Sequence, residues 1–297
     1  MLELRNSQLS LWVEPDYGAC TLGLSWRGRA MMPDRREALR PTSSLITQRG
    51  ELPEAGFNML PWSGRVFEGK MWHEWGQLFL GRAEEHALHG EVWDKAWQVE
   101  SHREEYLRCR IERPFESRFP ADYSAIYEVQ LVENKASFSL TITNNSPLSI
   151  FMGGGFHPYF SRLSGVMISF DALAEYPATE HVGIPSGPAL PSLWSKNFAQ
   201  GVRLSQDVLV DASFLLGKKS AQLIWPQDGV EAFLEFSDSI DHLVVYNPDK
   251  PWFAVEPVSH SNNILGEVQK PLRTILKPGG ILKLEYSISF FERGPAS

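Results

Sequence analysis

Apolar and polar residues alternate with a period of two along much of the chain. Leu9, Leu11 and Val13 do so, as do Leu22, Leu24 and Trp26. Phe138, Leu140 and Ile142 continue it, and Leu282, Leu284, Tyr286, Ile288 and Phe290 extend it over the longest span. Side chains two apart share one face of a strand, so each run predicts a strand with one buried face. Turn chemistry separates the runs: Glu14-Pro15-Asp16, Asn144-Asn145-Ser146-Pro147, Asn247-Pro248-Asp249 and Lys277-Pro278-Gly279-Gly280. No stretch of twelve residues carries a helical period; short helices fit only around 35–40 and 205–209. The fold class that follows is all-β, a large antiparallel β-sandwich or barrel. The segment Pro185 to Pro191 is rich in Pro, Gly and Ser and reads as a surface loop, with strands resuming after it. No composition shift marks a linker, so residues 1–297 are expected to form one domain.

Composition narrows the function classes. A hydrophobic fraction of 43% suits a globular chain rather than a disordered one. A net charge of -8, without Lys/Arg runs, argues against nucleic acid and against a membrane surface as partners. Cys20 and Cys109 are too few for a secreted disulfide framework and are expected to pack in the core. The start of the chain lacks the features of a signal peptide, and no apolar run is long enough for a membrane helix. A cytoplasmic location is the expectation.

Four stretches could carry chemistry. In GGGFHPYF, residues 153 to 160, three glycines free the backbone, and Pro158 then stiffens the position of His157. That is the arrangement of an imidazole that must be aimed, although a core histidine beside a bulge fits the same letters. In HALHGEVWDKAW, residues 86 to 97, His86 and His89 could share a metal on a helix. On a strand they would point to opposite faces, and Gly90 argues against a helix, so His89 reads as a polar group beside Trp93 and Trp97. In WFAVEPVSHSNN, residues 252 to 263, an apolar strand ends in Glu256-Pro257. Burial there would raise the carboxyl pKa towards a value useful to a general base. His260, Asn262 and Asn263 read as a polar turn. In FNMLPWSGRVFEGKM, residues 57 to 71, Arg65 offers donors for hydroxyls or carboxylates, or simply a surface ion pair. Ten tryptophans and 12% aromatics add rings on which sugar C–H faces could stack. Walker, serine-elbow, HExxH and dinucleotide patterns are absent from the sequence.

These stretches, in this order, resemble the aldose 1-epimerase (galactose mutarotase) family from about residue 5 to residue 292. The resemblance implies a large antiparallel β-sandwich and an isomerase that interconverts sugar anomers without metal or other cofactor. Gly155 to Phe160 is similar to the family's histidine-proline stretch, with His157 as the histidine. Leu88 to Gly90 matches a Leu-His-Gly stretch with His89, and Gly64-Arg65-Val66 matches the arginine stretch with glycine where asparagine is common. Glu256-Pro257 matches the glutamate-proline stretch. An aspartate is expected after the midpoint, and Asp211 is the candidate, with Asp207 four residues away. The implied roles are His157 and Glu256 as acid and base on opposite sides of the anomeric carbon, with Arg65, His89 and Asp211 binding the sugar. The implied partner is a small-molecule sugar, and the implied assembly a monomer or homodimer. A hexose 6-phosphate or a sulfonated sugar would need further cations, for which Arg162, Lys196, Arg203 and Lys270 are available. A non-catalytic sugar-binding protein on the same fold, and a metal enzyme built on His86, His89, His157 and Glu256, are the other readings.

Overall fold

The computed structural model describes residues 1–37, 54–64, 88–114, 121–177, 185–264 and 274–294. Those residues form twenty strands and one helix. The first four strands, β1 (Leu2–Arg5), β2 (Leu9–Glu14), β3 (Cys20–Trp26) and β4 (Arg29–Met32), make a four-stranded antiparallel sheet in chain order. There follow β5 (Phe57–Met59), β6 (Gln98–Arg103), β7 (Tyr106–Arg113), β8 (Tyr123–Val132) and β9 (Lys135–Asn144). Two short strands, β10 (Ile150–Phe151) and β11 (Gly155–His157), lead to β12 (Tyr159–Ser161) and β13 (Val166–Glu175). After the helix α1 (Leu193–Gln200) come β14 (Val202–Leu204), β15 (Val210–Trp225), β16 (Val230–Phe236), β17 (His242–Asn247) and β18 (Trp252–Val258). The strands β19 (Ile275–Leu276) and β20 (Ile281–Glu292) close the order. A fourteen-stranded sheet runs β5-β11-β18-β17-β15-β16-β20-β9-β8-β7-β6, with β12, β13 and β14 attached beside it.

The alternation in the sequence is the alternation of burial. In β9 the residues Ala136, Phe138, Leu140, Ile142 and Asn144 point inward, and each intervening residue is more exposed. In β20 the buried set includes Leu282, Leu284, Tyr286, Ile288 and Phe290. The register pairs Leu284 with Leu140 and Tyr286 with Phe138, whose rings stack 4.5 Å apart. The small sheet packs its own inward row, Leu9, Leu11 and Val13, into the same core cluster, so the two sheets form a β-sandwich. Cys20 and Cys109 are free and buried. No helix among the described residues is long and apolar enough to cross a membrane.

Two local readings change. Residues 205–209 form a turn between β14 and β15 rather than a helix, and of 35–40 only 35–37 are described, as irregular chain ending in a turn. The helix instead follows the Pro185–Pro191 loop, where strands were expected to resume. Its cap explains it: Ser192 Oγ accepts the Ser195 N–H at 2.9 Å, and Gly201, at φ 102°, ends the helix. Eight residues are too few for a helical period to stand out. Phe198 anchors the helix, stacking 4.8 Å from Phe170 of β13.

Candidate active site

One row of side chains runs across one end of the large sheet, from the edge strand β5 to β15. Phe57 of β5 pairs with His157 of β11, and Gly155 pairs with Val258 of β18, which sets Glu256 beside His157. Glu256 in turn pairs with Val244 of β17, and Val244 with Ser213 of β15. In the next row Tyr159, Ala254, Tyr246 and Asp211 are successive partners on the same face. Three stretches of the chain, around 157–159, 211–213 and 244–256, therefore deliver their polar side chains to one surface.

The glycines before His157 make this register possible. Gly154 sits at φ +150°, and a Cβ there would land on the Met59 carbonyl oxygen. A Cβ on Gly155 would strike the Pro257 carbonyl and come within 2.7 Å of Val258 Cγ1. A side chain at either position would hold β11 away from β5 or β18. The imidazole then lies against both Phe57 and Tyr159, each ring 4.6 Å away, with those two rings 6.5 Å from one another. Trp252 meets Tyr159 edge-on at 4.7 Å, and Tyr246 lies beyond it at 6.0 Å. These rings form an aromatic wall around the polar row.

His157 Nε2 lies 3.2 Å from Glu256 Oε1, and both side chains are almost fully buried. Burial pushes the imidazole down to about 3. Burial first, and then the negative charge of Asp211, hold the Glu256 carboxyl well above the usual carboxylate range. Both shifts favour the uncharged forms, a neutral imidazole beside a protonated carboxyl, at a separation across which a proton can pass. Glu256 lies inside β18, every residue of which is buried, rather than at the end of the strand as its Pro257 neighbour suggested.

His89 meets the same imidazole edge-on at 5.1 Å. Its backbone adopts φ 64°, and its Nδ1 accepts the Gly64 N–H at 3.0 Å while its own N–H donates to the Gly64 carbonyl at 2.9 Å. The proton of a neutral His89 is thereby directed to Nε2. Gly64 itself sits at φ +67°, and a Cβ there would land on the Asn262 side-chain oxygen. That contact explains glycine where the family commonly has asparagine. Asp211 reaches the row from β15, whereas Asp207 lies exposed in the preceding turn. Arg65, His86 and Lys270 lie outside the described residues.

The other cations considered for an anionic substrate are placed elsewhere. The Arg162 guanidinium is used up in buried bonds to the carbonyls of Leu204, Pro248, Lys250 and Trp252 and to Asn247 Oδ1. It is a structural clamp across three segments. Lys196 and Arg203 are exposed on α1 and β14. His260, read from sequence as part of a polar turn, is a buried bracket. Its Nδ1 donates to the Ser261 carbonyl at 2.9 Å, and its Nε2 accepts the Ser63 N–H at 3.2 Å.

The family model described as aldose 1-epimerase matches residues 1–289. The chain belongs to the aldose 1-epimerase family. Among curated proteins it is 24% identical over 266 residues to the uncharacterized protein YphB of Escherichia coli, covering 82% of this chain and 87% of YphB. Among solved structures it superposes on a galactose mutarotase-like protein from Clostridium acetobutylicum with TM-score 0.80 and 13% identity, over 98% of this chain and 94% of the other. A galactose 1-epimerase from Lactobacillus acidophilus gives TM-score 0.74 and 17% identity, over 98% and 94%. At such identities the structural likenesses establish the fold, which is that of the galactose mutarotase-like sandwiches. An aldose 1-epimerase is an isomerase, and the paired His157 and Glu256 fit that chemistry.

Sequence reasoning did not single out Phe57, Tyr159 and Trp252 as walls, nor Ser213 and His242 as neighbours of the site. A signal for Ser213 was present. Once Asp211 and Glu256 are assigned to one sheet face, period-two counting puts Ser213 on the face of Asp211.

Proposed function

We propose that this aldose 1-epimerase is a mutarotase of a hexose, with His157 and Glu256 as its acid–base pair. The observation that carries the reading is the 3.2 Å approach of Nε2 to Oε1 in a buried, aromatic-walled row. Ring opening needs one proton delivered to the ring oxygen and one removed from the hydroxyl on C1. A pair holding one proton can meet both needs once that proton stands on His157. Moving it from Glu256 to His157 makes a charged pair in contact, whose mutual attraction offsets part of the burial penalty on each charge.

In the proposed cycle the sugar enters between the two groups and replaces their contact. His157 gives its proton to the ring oxygen as the bond from C1 to that oxygen breaks. Glu256 accepts the proton of the C1 hydroxyl as the aldehyde forms. Rotation about C1–C2 presents the other carbonyl face. Reclosure then runs the transfers backwards: the ring hydroxyl returns its proton to His157, and Glu256 protonates the new C1 oxygen. Each group is expected to contribute on the order of a hundred- to ten-thousand-fold. His89, through Nε2–H, and Arg65 and Asp211 hold hydroxyls and fix the ring between the pair. No redox step occurs, so the cycle calls for no cofactor. We read residues 1–297 as one domain and the protein as cytoplasmic, a monomer or homodimer acting on a small-molecule sugar.

The test is the decay of optical rotation of freshly dissolved α-D-glucose and α-D-galactose, with and without protein, in the presence of chelator. Faster decay to the same final rotation supports the reading. No acceleration with either sugar, nor with glucose 6-phosphate, would overturn it.

A further inference from the structure

Two buried polar side chains outside the acid–base pair face the same side of the sheet. Alternation puts Asp211, Ser213 and Leu215 of β15 on that face, with His242, Val244 and Tyr246 of β17 beside them. Ser213 stands in the row of Glu256, two strands away, or roughly 10 Å at the usual strand spacing. His242 is one strand from β18 and one pair along, opposite Val258. Each residue is 4% exposed.

Neither side chain is satisfied within the described protein. Ser213 Oγ has no hydrogen-bond partner there, and neither has His242 Nδ1. The other imidazole nitrogen of His242, Nε2, is held 2.9 Å from the Tyr176 hydroxyl. Tyr176 is in turn fixed by its N–H, which donates to the Ser213 carbonyl at 3.0 Å. Leaving a buried polar group unmade costs about 1–3 kcal/mol, and native folds avoid it. Two such groups on the face that carries His157 and Glu256 point to a ligand group that satisfies them.

The chemistry of the two groups selects that ligand group. Burial, and then the nearby His260 ring, push His242 down to about 3, so the imidazole is neutral. A serine hydroxyl and a neutral imidazole together offer one donor and one acceptor, which is what a sugar hydroxyl requires. A phosphate or sulfonate would bring a charge that neither neutral group offsets, and Lys219, the cation that acts on His242, is already paired with Asp241 at 2.5 Å. Arg162 is fully engaged elsewhere.

We propose that Ser213 and His242, with Tyr176 as the positioning residue for His242, form a subsite for one neutral hydroxyl on the side of the sugar remote from His157. This subsite selects uncharged hexoses over sugars phosphorylated or sulfonated at that position. The proposal rests on the mutarotase reading of His157 and Glu256.

The test measures KM and kcat for glucose and its 2-, 3-, 4- and 6-deoxy analogues, using wild type, Ser213→Ala and His242→Gln. Loss of one hydrogen bond predicts a KM for glucose raised about tenfold in Ser213→Ala, a larger change than that in kcat. The deoxy sugar lacking the recognised hydroxyl should show the same KM with wild type and Ser213→Ala. Equal loss with every analogue, or no loss with any, would overturn the proposal, as would a wild type that prefers the sugar phosphorylated at the recognised hydroxyl. Should His242→Gln fail to fold, Ser213→Ala decides alone, because it removes a single oxygen. A wild type that accelerates no sugar would defeat the mutarotase reading but not the subsite. Calorimetric dissociation constants for the same sugars and variants then give the same comparison, and a wild type binding none of them would overturn both.

Discussion

His260 offers a clean test of the buried polar framework under the site. Burial depresses its imidazole to about 4, against about 6.5 when unfolded. A histidine with a lowered folded pKa binds more protons unfolded than folded throughout the window between the two values. Its contribution to stability is therefore present above about 6.5 and is lost as the pH falls towards about 4. Integrating the proton difference from about pH 7.5 to about pH 5.5 gives a loss of about 1.3 kcal/mol for this one residue. Glutamine can still donate to the Ser261 carbonyl, but it does not titrate. Urea denaturation at the two pH values, for wild type and His260→Gln, yields a difference of differences in which the other titrating groups cancel. The variant should be less stable at the higher pH, yet lose about 1.3 kcal/mol less on acidification. Equal pH dependence in the two proteins would refute the reasoning, for it would mean that His260 takes up its proton without unfolding.

Further outcomes follow from the same geometry. The depressed His157 and the raised Glu256 predict a kcat/KM that stays flat as the pH falls through about 6.5, the ordinary histidine range. A fall centred near that value in the pH profile would contradict the one-proton pair. Gly64→Ala should cost about 1–2 kcal/mol for its φ of +67° alone, and more for the collision with Asn262. It should also raise KM by shifting His89, as thermal melts and steady-state rates would read. Arg162→Met should destabilise by about 3 kcal/mol or more, because it leaves several buried carbonyls without a donor. A loss under about 1 kcal/mol in urea titrations would show that the clamp is dispensable.

The fold was legible because a sheet that buries one face writes that face into the sequence with a period of two. The inward rows of β9 and β20 could be read from the sequence, apart from Ser287, which is buried out of step with the alternation. The helix α1 could not, since its eight residues give no period and only the Ser192 cap marks its start. At the site, the aiming of His157 was visible in its glycines and proline, though not the reason for each glycine. That reason is the passage of β11 between the backbones of β5 and β18, a contact between segments about a hundred residues apart in the chain. Pairing across strands is likewise what sets Glu256 against His157 directly, where the resemblance suggested a base and an acid facing each other across a carbon atom. Arg162 shows the opposite failure. As a letter it is a cation available to a substrate, and only the fold reveals five acceptors already closing on it.

The central claim is that one shared proton, on Glu256 and His157, drives anomer exchange. The most direct measurement follows the rotation of α-D-galactose with wild type and Glu256→Gln side by side, both verified as folded by thermal melting. The account predicts acceleration by wild type and a rate lower by at least about a hundredfold in the variant. A folded Glu256→Gln protein that still relaxes the sugar at the wild-type rate would contradict it.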